Sequence, residues 1–536
     1  MRRRHLLASA TGLATASFAA APLVTGLPRP ALAQAEGGRR LRFVPSVDLS
    51  TIDPLWSAAV VAYTHGYMVW DTLYGLTLDQ QPQPQMCEGH TLSEDRRVWT
   101  FTLREGLLFH DGEPVRAVDC IASLRRWMEK DPFGQSIAAI LVEAKALDDR
   151  RFQLALSKPF GLLLFAIAAR SVFVMPERIA KTPASQQIKE VIGSGPYRFL
   201  ADEWQTGAHA GYARFDRYRP RAEAPDMMSG GKQAHFDRID WITQPDPATA
   251  AAALQRGEVD WVERPLLDLL PMLRKSAGVK TDKLDVFGAL GILRFNQLLP
   301  PFDNPKLRQA LLPGVIQEEV VAAAVGEEKA YGNYPVGFFP EGSPMANDAG
   351  LGALSGPRDL ARARQLVKEA GYKGERIVMM APSDLAQIMA ASQVMLDQLT
   401  KMGLNIDFQV MDWGTMLSRM AKKDPIDQGG WNCFVTTWAS LSVATPGSSY
   451  PLRSAGASSW AGWPDDPKLE ALRGQWMDAP DTATAQAICR EIQQEAFTSL
   501  PYIPIGQWTS ASAYRDTLSG PLKAPYALFW NVRKNA

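Results

Sequence analysis

Five tryptophans, Trp413, Trp431, Trp438, Trp460 and Trp463, crowd one stretch of this 536-residue chain. Each offers a large apolar face and a single N–H donor, a combination suited to gripping a flat or apolar ligand. Within the same stretch, Arg453 is a lone cation in an otherwise uncharged loop, and its planar fork could pair a carboxylate bidentately. Chemistry of other kinds does not assemble. The sequence has no G-x-S-x-G, H-E-x-x-H, phosphate-binding loop or dinucleotide glycine pattern. Six scattered histidines leave few general bases, and no C-x-x-C or Cys/His spacing suggests a metal. His65 stands alone, which suits a hydrogen bond better than a metal. The residue types point to non-covalent recognition, without cofactor or metal, and not to a reaction.

These side chains need elements to hold them. Trp431 to Trp438 reads as a strand whose alternation puts its two tryptophans on opposite faces, so at most one of them faces a ligand; Trp438 is the choice. Helix 359–370, strand 376–380, helix 386–402 and strand 405–411 form an alternating pattern, which implies a parallel or mixed sheet with ligands beyond the carboxyl ends of its strands. Asp412 and Trp413 follow such a strand end and become candidates by position, although Asp412 also fits as the N-cap of a helix over 415–422. In the N-terminal half, Tyr63, Tyr67, Trp70 and Tyr74 fall at spacings of three and four within a helix over 58–73, a face that serves equally as core.

The most legible unit is Trp99 to Pro132. Trp99, Phe101 and Leu103 alternate with polar residues as in a half-buried strand, Asp111-Gly112 makes a turn, and Val118, Ile121, Leu124, Arg125 and Met128 mark a helix ending by Asp131-Pro132. A hairpin at 148–150 joins strands 142–147 and 152–156. Gly193-Ser194-Gly195-Pro196 provides glycines for a close backbone approach.

Composition narrows the class of partner. The chain has 57 basic and 57 acidic residues and 46% hydrophobic content, enough for large cores in two or three domains and nothing that suggests nucleic acid or an anionic membrane. Residues 1–33 read as a removable export signal: a basic start with Arg3-Arg4, a mildly apolar run from Leu13 to Val24, and small residues at Ala31-Leu32-Ala33. The arginine pair with a weak Ala/Thr-rich core resembles a twin-arginine signal. Cleavage would remove Arg2, Arg3, Arg4 and Arg29, leaving 53 basic against 57 acidic residues. No cysteine lies near the cleavage site, so no lipid anchor is expected. Cys87, Cys120, Cys433 and Cys489 permit two disulfides but read as buried thiols.

The run WTFTLREGLLFHDGEPVRAVDC from Trp99 to Cys120 resembles the signature of extracytoplasmic solute-binding proteins of the oligopeptide, dipeptide and nickel type, solute-binding protein family 5, which serve ABC importers. Gly193 to Phe199, Ala250 to Trp261, and Phe295-Asn296 through Pro301-Phe302-Asp303-Asn304 to Arg308-Gln309-Ala310 resemble family segments in family order, from about Leu41 to the C-terminus. The resemblance implies an α/β fold of two lobes with mixed sheets, an α+β subdomain and two crossover hinge strands. It places lobe I at 34–290 with its subdomain at about 82–190, lobe II at 291–503, and a return to lobe I at 504–536. It also implies a periplasmic receptor, a monomer, that closes over a solute and delivers it to an ABC permease and ATPase; an exported enzyme or a ligand-loaded sensor or chaperone is the alternative. Since the helix over 58–73 borders the cleft in the family, Tyr63 and His65 join the ligand-binding candidates Asp412, Trp413, Trp438 and Arg453. Peptide-binding members carry an aspartate for the peptide ammonium in the loop after the strand matching 431–438. Here that loop, Ala439 to Pro446, has no acid. A buried ammonium without a counter-charge is costly, and nickel lacks a ligand cluster, so a small organic solute, aromatic or carboxylated, is expected in place of a free peptide N-terminus.

Overall fold

The structure, a computed structural model, describes residues 39–57, 59–169 and 172–535. The expected export signal lies outside them.

Two mixed sheets organise the chain, one in each lobe. The first runs, from edge to edge, Val279–Asp282, Ser512–Arg515, Trp261–Val262, Arg40–Val44, Arg238–Ile242, His209–Arg214 and Tyr197–Gln205. Arg40–Val44 lies between two parallel partners, and the outer pairs are antiparallel. The second sheet runs Gly332–Asn333, Tyr502–Trp508, Ala289–Phe295, Cys433–Ala439, Arg376–Pro382 and Asn405–Met411. Its central strand Ala289–Phe295 is antiparallel to both neighbours, while Arg376–Pro382 and Asn405–Met411 pair in parallel with helix Ala386–Lys401 between them. The chain crosses between the sheets twice, at 283–288 and at 509–511. The second crossing was expected at 503/504. Tyr502–Trp508 pairs along Ala289–Phe295 to its end, so the chain leaves the second sheet only after Trp508.

A separate antiparallel sheet of four strands, Cys87–Leu92, Val98–Leu103, Arg151–Leu156 and Leu141–Ala146, carries helix Ala117–Lys130. Trp99, Phe101 and Leu103 are buried and the residues between them are not, as the alternation requires. The helix begins where Asp119 accepts from the Arg116 backbone at 2.8 Å. Its buried face is turned from the expected one: Cys120, Leu124, Trp127 and Met128 point inward, Val118 and Ile121 lie at the margin, and Arg125 is exposed.

The turn at Asp111-Gly112 docks on the glycine run, with His110 N donating to Gly193 O at 2.8 Å and His110 Nε2 lying 3.0 Å from Gly195 O. Glycine is required there. A Cβ on Gly193 would sit 1.8 Å from Val69 O, and one on Gly195 2.7 Å from Met68 O. This contact fixes the end of helix Val60–Val69, which is shorter than the expected 58–73 because the chain turns extended at Trp70.

Candidate functional site

A cavity of about 270 Å³ opens between the lobes. Lobe I contributes the segment Pro54 to Ser57, then Val60 and Tyr63 from helix Val60–Val69, and Tyr526. The subdomain helix Ala117–Lys130 and its continuation add Ser123, Arg126, Trp127, Lys130, Asp131 and Pro132, and Ala169, Val172, Phe173 and Met175 complete that wall. Lobe II supplies Trp438 and Ala439 from the end of strand Cys433–Ala439, followed by Leu441, Ser442, Ser448 and Tyr450. The lobes also touch beyond the cavity. Phe133 lies 6.4 Å from Trp476, Lys158 pairs with Asp478 across the gap, and Gln80 donates to Gly342 O. Lobe II is therefore closed onto lobe I.

Sequence explains how each wall is held. In lobe I, the segment at 53–57 is pinned by a buried ion pair: Arg126 donates to Asp53 through Nη1 at 3.2 Å and Nη2 at 2.8 Å. Arg126 also donates to Thr182 O and Gln186 O, while Asp53 accepts from the backbone of Leu55 and Ile188. Each charge is thus compensated inside a buried wall, the condition under which a buried pair persists. Asp131 caps the next helix, Pro132–Ala138, accepting from Phe133 N at 2.9 Å and Gly134 N at 3.2 Å. Tyr63 stacks on Tyr526 with ring centroids 5.2 Å apart.

In lobe II the organiser is Arg294 on the central strand. Fully buried, it donates to the carbonyls of Pro451 at 2.8 Å, Pro501 at 2.9 Å, Trp460 at 3.0 Å and Ala461 at 2.6 Å. Its guanidinium lies 5.1 Å from the Trp460 ring, and burial pushes its pKa down to about 9. Trp460 then meets Trp438 edge-on at 5.1 Å, and Tyr450 also lies against Trp438, its ring centroid 6.3 Å away. One arginine gathers the carbonyls of two chain segments behind the aromatic wall of the cavity.

Of the six residues expected to touch ligand, the cavity brings together Tyr63 and Trp438. The other four lie elsewhere. His65 is buried on the far side of its helix, with Nδ1 2.8 Å from Tyr212 OH and its ring edge-on to Phe199 and Trp70; burial drives its pKa to about 3, so it is a neutral core group. Asp412 is an exposed N-cap, accepting from Thr415 N at 2.9 Å. Trp413 opens helix Trp413–Met420 and packs on a core of Val378, Met380, Met416, Trp431, Phe434 and Trp463. Both follow strand Asn405–Met411, which is the outer edge of its sheet, whereas the strand reaching the cavity is Cys433–Ala439, next to the crossover strand. Arg453 is half-buried near Arg473, in the turn that Arg294 holds from behind.

Trp56, Trp127, Lys130, Phe173, Tyr450 and Tyr526 line the cavity without having been singled out. Trp127 and Lys130 fall inside the most legible stretch of the sequence, and Trp127 lies one helical turn from Leu124 on the buried face, a signal that periodicity carried. Tyr526 and Phe173 come from distant segments with no local signature.

The four cysteines are buried and unpaired. One group of ionisable side chains among the described residues, Glu203, His209 and Asp240, is close enough to share a metal ion. Arg238 bonds both carboxylates and Arg40 bonds Asp240, so the cluster is an ion-pair network at the rim of the first sheet. No helix among the described residues is long and apolar enough to cross a membrane.

Comparison with known proteins decides the family. The profile for bacterial extracellular solute-binding proteins, family 5 (middle region), matches residues 81–460. The chain belongs to that family. It is 38% identical over 489 residues, covering 91% of this chain and 92% of the relative, to a probable peptide ABC transporter periplasmic-binding protein of Sinorhizobium fredii. It is 25% identical over 504 residues, 90% of this chain and 91% of the relative, to a glutathione-binding protein of Pectobacterium atrosepticum. Among solved structures it is similar to a periplasmic binding protein of Helicobacter pylori in complex with the peptide STSA, with a TM-score of 0.77, 20% identity, and coverage of 95% of this chain and all of the other. A periplasmic binding protein of Agrobacterium tumefaciens in complex with agropinic acid matches with a TM-score of 0.75, 20% identity, and coverage of 93% and 99%. The two-lobed α/β fold, the extracytoplasmic solute-binding role and the assignment as a non-enzyme therefore stand as expected from the sequence.

Proposed function

We propose that this protein is the periplasmic receptor of an ABC importer, exported by a twin-arginine signal, which encloses a small organic solute or short peptide between its lobes and delivers it to a permease and ATPase. The observation that carries this reading is the cavity at the crossover, walled by aromatic side chains of both lobes, Trp127, Phe173 and Tyr63 on one side and Trp438 and Tyr450 on the other. A solute seated there touches both lobes and so stabilises their closed arrangement, and a ligand shifts a hinge equilibrium only by such differential contact. The names of the relatives favour peptides or peptide-derived solutes. The acid-free loop at 439–446 favours a solute that does not present a free ammonium to lobe II. At about 270 Å³ the cavity suits a compact ligand.

Mass spectrometry of the solute released when the protein, purified from its own periplasm without dialysis, is denatured tests the reading. One compact species is expected. Trp438→Ala should weaken its binding by about 10- to 100-fold, the scale of losing one large aromatic contact, while Trp413→Ala changes it less than about twofold. A protein that releases nothing, and that gains no stability from periplasmic extract, would remove the receptor assignment.

A further inference from the structure

One cationic side chain in the cavity wall has no ion-pair partner among the described residues. Three ionised side chains of the subdomain helix and its cap line the cavity, and two are already engaged. Arg126 spends its donors on Asp53, Thr182 O and Gln186 O, and Asp131 caps the helix that follows it. Lys130 differs. Its ammonium lies 3.4 Å from the centroid of the Trp56 ring, another cavity residue, and among the described residues it has neither an ion pair nor a hydrogen bond. The carboxylate that acts on it, Asp53, is paired with Arg126, which opposes Lys130 in turn. Surroundings that are mostly apolar hold its pKa below the usual lysine value. Three serine hydroxyls of the wall are occupied as well: Ser123 donates to Asp119 O, Ser442 to Ala439 O, and Ser448 pairs with Thr445.

A lysine laid over an indole has its charge partly offset by the ring face and still has N–H donors that can turn toward a ligand. Such a group is poised for a compact anion. We propose that Lys130 is the anion anchor of this cavity: the solute carries a carboxylate, or a monoanion of similar size, that the Lys130 ammonium receives, with its apolar body against Trp127, Phe173 and Trp438. This rests on the reading of the cavity as the solute site. It moves the carboxylate partner from Arg453 in lobe II, where the sequence suggested it, to the subdomain of lobe I.

Matched pairs of small aromatic acids and their amides, phenylacetate with phenylacetamide and benzoate with benzamide, test the assignment by titration of intrinsic tryptophan fluorescence to about 10 mM. The acids are expected to bind about tenfold more tightly than the amides, the scale of one charge-assisted hydrogen bond. That preference should fall below about twofold in Lys130→Met and persist in Lys130→Arg. Equal binding of acid and amide, lost together in Trp438→Ala, would overturn the anion anchor and leave the cavity as the solute site, as would a preference that survives in Lys130→Met. Binding of neither member of either pair would overturn both.

Discussion

Asp53→Asn is the substitution that most sharply tests how the cavity wall is built. The Asp53 carboxylate is fully buried and the Arg126 side chain almost so, and the two bonds between them are 3.2 and 2.8 Å. Asparagine keeps the shape and can accept one of these bonds, yet it leaves a guanidinium in the wall without its counter-charge. Removing one partner of a buried pair costs about 3–5 kcal/mol, most of it the desolvation of the charge left behind. The same carboxylate accepts from Leu55 N at 3.1 Å and Ile188 N at 3.0 Å, so the segment that carries Trp56 into the cavity loosens as well. Urea unfolding followed by fluorescence should therefore show a loss of about 3–5 kcal/mol in the transition of lobe I. Arg126→Met combined with Asp53→Asn should cost less than the two single changes added together, because the double variant leaves no buried charge. A loss below about 1 kcal/mol for Asp53→Asn, the range of exposed pairs, would refute the claim that this pair holds the wall.

Other consequences follow from burial. His65 is neutral in the folded protein down to about pH 3, whereas the unfolded chain binds a proton there near pH 6.5. The unfolded state thus holds more protons between these values, and the stability that His65 contributes is present above about pH 6.5 and lost as pH falls. Between pH 7 and pH 5.5 this amounts to roughly 1 kcal/mol, by which the difference in unfolding free energy should shrink in His65→Phe; an unchanged pH dependence would contradict the assignment. The four cysteines are buried and burial raises the pKa of each thiol, so a thiol-reactive dye should label none in the native protein and four per chain in denaturant. Fewer than four after unfolding without reductant would mean that some are paired.

Local periodicity carried the elements well. The strand at 98–103, the helix capped by Asp359 and the parallel pair around helix Ala386–Lys401 all lie within a residue or two of where side-chain spacing puts them. These signals depend on neighbours in sequence. The cavity depends on sheet order, which local spacing does not encode. Here the carboxyl end of a strand reaches the cavity only where that strand borders the crossover strand. Cys433–Ala439 does, so Trp438 was legible; Asn405–Met411 is the outer edge, so Asp412 and Trp413 serve a helix cap and a core. Tyr63 and His65 show the same limit on a helix, where two residues apart means nearly opposite faces, one toward the cavity and one into the sheet. Arg294 has no local signature of its role. Its hold on four carbonyls comes from segments more than 150 residues away.

Hydrogen exchange with and without the solute identified by mass spectrometry tests the central claim most directly. If the solute closes the lobes over the cavity, protection should rise together at 54–63, 123–132, 172–175 and 438–450, on both sides of the crossover, with little change at 405–420. Protection confined to one lobe, or centred on 405–420, would contradict it.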